Sequence, residues 1–136
     1  MTSLSALIGF AIWTLLLVSI AVSWRVVEVL RGKQANSWAR GSDTARPAFV
    51  TRVEHAHLNC VENLPVFAAL VLAAAAMGKA STVTDPFAPI VLYARLAQSV
   101  THMIGTTHLL VLARATFFSV QVALMLWMAL KLLGWL

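Results

Sequence analysis

The stretch from Leu4 to Trp24 contains no charged side chain. About 20 apolar residues are enough for one helix to cross the hydrocarbon core of a bilayer, so this segment reads as a membrane span. A soluble fold has no place for the remaining apolar content either. Hydrophobic residues make up 60% of the 136-residue chain and charged residues 11%, against roughly a half and a quarter in soluble domains. The surplus needs lipid to cover it. No basic side chain precedes the run, and it exceeds the apolar core of a cleaved leader, which favours a first span over a signal peptide. Trp24 and Arg25 close it with an aromatic and a cation, as suits a membrane interface.

Three further segments complete an expected all-α membrane protein, a four-transmembrane-helix bundle forming a single domain over 1–136. Its helices are placed at about 4–30, 48–78, 87–104 and 109–133. Between the first two, Arg31 to Pro47 reads RGKQANSWARGSDTARP, whose glycines, Asn36, Ser37, Ser42, Asp43 and Pro47 mark a loop. With Arg25, Arg31, Lys33, Arg40, Arg46 and Arg52 in or beside it, the positive-inside rule puts this loop, 31–47, in the cytoplasm and both termini on the opposite side. The short termini and compact chain suggest a bacterial inner membrane. The net charge of +5 gathers at this loop rather than along a polar face, so a membrane surface is preferred to nucleic acid as its partner. Lys79 to Pro86 reads as a turn, Gly105 to His108 as a break, and Pro65 as a local kink.

The second segment has a polar first half. Arg52, His55, Asn59 and Glu62 follow one another at intervals of three, four and three residues, which puts them on one helix face. Arg95, Gln98 and His102 repeat the pattern in the third segment, and Arg114 opens the fourth. Ionisable groups inside a membrane are costly, so they pair with one another, face the bundle interior or mark a function. Together these stripes describe a cationic pocket with one carboxylate, suited to a small anionic or zwitterionic ligand. The plainer alternative is an internal ion pair, Glu62 with an arginine, that only holds the bundle together. A metal site is not expected, because His55 with Glu62 and His102 with His108 lack the spacing of a zinc helix and arginines lie nearby. Cys60, the one cysteine, points off the stripe and reads as a packing residue, and His108 as a loop residue.

Glu54 to Phe67, EHAHLNCVENLPVF, closely resembles the second-helix motif of the membrane-associated proteins in eicosanoid and glutathione metabolism, the MAPEG family, and the resemblance covers essentially the whole chain. It implies a bacterial-type member similar to microsomal glutathione transferases. It also implies four-helix subunits assembled as homotrimers, with glutathione as co-substrate bound between subunits near the cytoplasmic side. By position, Asn59 and Glu62 match glutathione-binding residues of the second helix, and Arg95 the arginine of the third. Arg114 matches the fourth-helix arginine that stabilises the thiolate, the catalytic assignment here. Arg52, His55, Gln98 and His102 complete the implied binding set. The chain departs from the family pattern at His55, usually arginine. Gln98, His102, Ala115 and Phe118 replace histidine, tyrosine, serine and tyrosine of the prostaglandin E synthase branch. These departures point away from prostaglandin synthesis.

Two function classes follow. One is a glutathione-dependent transferase or peroxidase acting on a lipophilic electrophile or hydroperoxide that arrives through the lipid. The other is a non-catalytic membrane scaffold or regulatory protein that keeps the MAPEG fold. The retained Asn59, Glu62, Arg95 and Arg114 favour the first; His55, Gln98 and Phe118 favour the second. A transporter ranks behind both, since no internal repeat is visible.

Overall fold

The computed structural model describes residues 1–38 and 44–136; Ala39, Arg40, Gly41, Ser42 and Asp43 of the expected loop lie outside the described residues. Four α-helices follow in chain order: α1, Ser3–Leu30; α2, Ala48–Ala76; α3, Ala88–Ile104; and α4, His108–Leu133. A 3-10 turn, Ala35–Trp38, lies between α1 and α2, and a single π turn, Ala80–Thr84, joins α2 to α3. The second connection is therefore more regular than the expected turn. His108 is the first residue of α4 rather than part of a loop.

Local chemistry sets the helix ends. Thr2 caps α1 by accepting the Ser5 backbone N–H, which satisfies one of the orphan donors of the first turn. Pro47 precedes α2, and the helix continues through Pro65. Gly78 and Gly134 follow α2 and α4 at φ 66° and 75°, a left-handed conformation in which a side chain would be strained.

α1, α2 and α4 are each long and apolar enough to cross a membrane. α3 has 17 residues, about 25 Å at 1.5 Å per residue, and falls just short of that length. It is integral to the bundle nonetheless, because like α2 it packs against each of the other three helices. Gly9 makes the α1–α3 approach possible: a Cβ there would stand 3.0 Å from a methyl of Leu92. Phe10 packs on Phe67, with ring centroids 5.7 Å apart, and Phe87 meets Trp127 edge-on at 4.5 Å. Outward, Ile8, Ile12, Leu15 and Leu16 of α1 and Leu126 and Leu133 of α4 remain exposed. In water such a surface would be untenable, and in lipid it is the solvent-facing side. The chain is an integral membrane protein.

Candidate functional site

The helical period of α2 sorts its polar half into two stripes. Val53, Ala56, Cys60 and Phe67 are buried in the core. Beside them, Arg52, His55, Asn59 and Glu62 turn toward the second half of α3 and the first half of α4. Arg52 donates from Nε to the Met103 carbonyl at 2.9 Å, an acceptor that the last turn of α3 would otherwise leave open. His55 sets its ring edge-on to His102 at 6.0 Å between centroids. Asn59 Nδ2 comes within 3.5 Å of His102 Nδ1.

These contacts leave a groove of about 370 Å³ among the three helices, lined by Asn59 and Glu62 of α2, Gln98 and His102 of α3, and Arg114 and Phe118 of α4. Its size falls in the range of small-molecule sites. Glu62 is exposed on the wall and forms no ion pair among the described residues. Arg114 faces the same space, and its Nε is buried without a hydrogen-bond partner among the described residues. The internal ion pair weighed above as the plainer role for Glu62 is thus not formed among the described residues. A carboxylate and a guanidinium stand on one groove with their bonding capacity open.

Five of the eight expected site residues, Asn59, Glu62, Gln98, His102 and Arg114, line this groove. Arg52 and His55 flank it through Met103 and His102. Arg95 does not reach it. Its side chain is completely buried, none of its guanidinium nitrogens has a hydrogen-bond partner among the described residues, and it lies over the Phe10 ring at 5.4 Å. The stripe of α3 faces the interior throughout, but it meets α1 at Arg95 and α2 and α4 further along. Cys60 is buried, with Sγ 3.7 Å from the Ser99 hydroxyl, as a packing residue would be.

The sequence reading missed Gln121 as part of the site. It is fully buried and donates from Nε2 to Gln98 Oε1 at 3.0 Å and to the Phe117 carbonyl at 2.9 Å, so it fixes the Gln98 amide. A lone amide in an apolar helix, seven residues after Arg114 and so on its face, was the available signal. Val111 in the same wall carried no such signal, and Ala115 was marked only through the family resemblance. Among the described residues no group of His, Cys, Asp and Glu is arranged to hold a metal ion.

Comparison with family models finds one described as the MAPEG family that matches residues 3–134. The chain belongs to the MAPEG family. No curated protein and no solved structure matches it. As a MAPEG protein it is a membrane protein of the family named for eicosanoid and glutathione metabolism. The four positions contrasted above with the prostaglandin E synthase branch, Gln98, His102, Ala115 and Phe118, all line the groove.

Proposed function

We propose that this chain is a glutathione-dependent membrane enzyme, a transferase or peroxidase acting on a lipophilic electrophile or hydroperoxide. In this reading α3 crosses the bilayer with the other helices, and the chain forms a homotrimer in a bacterial inner membrane. The loop 31–47 is cytoplasmic and the termini lie on the other side. The observation that carries the reading is the shared groove of Glu62 and Arg114, each without an ion-pair partner among the described residues.

Such a donor set fits a tripeptide bearing an ammonium, two carboxylates and a thiol. Glutathione supplies the thiolate nucleophile. Glu62 receives the ammonium, while Asn59 offers an amide and Arg52 the remaining N–H groups of its guanidinium toward a carboxylate. Arg114 holds the thiol in its charged form, since a cation close to sulfur favours thiolate over thiol. Arg95, behind the wall, adds positive potential without contact. Phe118 and Val111 give the groove an apolar side against which a lipid-soluble second substrate can rest.

Calorimetric titration of glutathione into the detergent-purified protein tests this reading, with Glu62→Gln and Arg114→Ala as controls. Saturable binding that both variants lose is the expected result. No binding at millimolar glutathione would instead support the scaffold reading, which the phenol-less Phe118 and the Gln98 amide locked by Gln121 favour.

A further inference from the structure

A second cavity, about 300 Å³, lies away from the thiol groove, between the end of α1 and the start of α2. Glu54 sits in its wall and takes a hydrogen bond on each carboxylate oxygen. Arg25 donates to Oε1 at 2.6 Å and Arg46 to Oε2. Two guanidinium groups against one carboxylate leave a single positive charge. With a guanidinium on each oxygen, Glu54 is outnumbered at this wall, and the net positive charge disfavours an incoming ammonium.

Two donors at this wall lack any acceptor among the described residues, Arg25 Nε and the indole N–H of Trp38. Trp38 is only 5% exposed, so water does not satisfy it. Buried donors left unpaired are costly, and the cavity is short of an acceptor. An apolar groove lined by Val26, Val29 and Leu30 adjoins it, and Val22, Arg25 and Trp38 line both spaces. The location is interfacial: Trp24 packs edge-on against Trp38 at 5.2 Å, and exposed Arg31 and Lys33 lie just beyond.

We propose that this cavity and groove hold one anionic phospholipid, its phosphodiester between Arg25, Arg46 and Trp38 and an acyl chain along Val22, Val26 and Val29. The single residual charge equals that of one phosphodiester. The net positive charge of the wall selects an acidic headgroup over a zwitterionic one, and the continuous groove selects a lipid over a free anion. Basic groups beside an anionic leaflet supply the attraction that brings the headgroup in.

The test titrates phosphatidylglycerol with brominated acyl chains into the full chain in zwitterionic detergent and reads tryptophan quenching, with brominated phosphatidylcholine as comparison. Quenching by phosphatidylglycerol is expected to saturate at a roughly tenfold lower mole fraction, the size of effect a charge-assisted contact provides. Arg25→Gln should move that midpoint to the phosphatidylcholine value while glutathione binding in the other groove is unchanged. Equal midpoints in the native protein, or an unmoved midpoint in Arg25→Gln, would overturn the proposal. So would displacement of the lipid by millimolar inorganic phosphate, which would mark a free-anion site. Should Arg25→Gln lose its helical circular dichroism, Trp38→Phe decides: the saturable quenching should fall, and its persistence in full would place the lipid elsewhere.

Discussion

Arg114 and Gln121 lie two turns apart on α4 and do different work. Arg114 keeps its Nε unsatisfied at the groove, so its charge is available to a ligand. Removing it should raise the pKa of a bound thiol by about 1 to 3, as losing a close counter-charge does. Arg114→Ala is therefore expected to abolish the thiolate absorbance of bound glutathione at neutral pH, and Arg114→Lys to keep part of it. An unchanged spectrum in the alanine variant would remove Arg114 from the chemistry. Gln121 acts on the protein itself, because its amide is the partner of Gln98 Oε1. Gln121→Leu leaves that oxygen buried and unpaired and should cost about 1 kcal/mol, near the size measured for interhelical hydrogen bonds in membranes. A lowered thermal midpoint with weakened glutathione binding is the expected outcome. Gln98→Leu in the same background should recover much of the stability, since removing both polar partners is cheaper than removing one.

The helices themselves were largely legible, because a run without charge such as Leu4 to Trp24 admits few alternatives and Gly105 interrupts the last apolar stretch visibly. The polar face of α2 was legible for the same reason: three- and four-residue spacing is a property of one helix. What spacing could not convey is which neighbour a face meets. Arg95 shares the stripe of His102 yet lies against Phe10 of α1, and the Arg25–Glu54 pair joins residues 29 apart that no periodicity relates. Another such long-range tie links the start of α1 to the connection between α2 and α3. Asp85 Oδ1 accepts the Ser3 backbone N–H at 2.7 Å. The Ser3 hydroxyl beside it, that N–H and the chain's N-terminal charge hold the Asp85 carboxyl below its ordinary value. A depressed carboxyl stabilises the fold at pH above its unfolded value and loses that contribution as pH falls through the folded one. Anchoring of the α1 start should accordingly be constant near neutrality and fade only below the usual aspartate range. Hydrogen exchange at the first turn of α1 checks this. Asp85→Ala should exchange rapidly at every pH, and protection that does not depend on Asp85 would refute the tie.

At the scale of the whole molecule, Glu62 poses a problem that one subunit does not solve. It lies fourteen residues from either end of α2, halfway along a helix long enough to span the bilayer, and it is exposed. A carboxylate facing lipid at that depth costs several kcal/mol, so its open side must meet protein or a water-filled space enclosed by protein. Exposed His55 and Phe118 border the same opening, whereas the outer face of α1 presents no charged group to lipid between Leu4 and Trp24. A second copy covering the groove removes the cost, and closed rings of identical chains repeat the cover for every subunit without leaving an unpaired edge. With three copies each groove gains a wall from its neighbour, and a ligand on Glu62 and Arg114 would touch two subunits. The protein is then expected to run in mild detergent with a protein mass three times that of the 14.7 kDa chain. Glutathione should also raise the concentration of denaturant needed to dissociate it, because a ligand bound across an interface stabilises the assembly by mass action. A stable monomer that still binds glutathione would show that one chain builds the whole site. Glu62 would then have to be hydrated from within a single bundle.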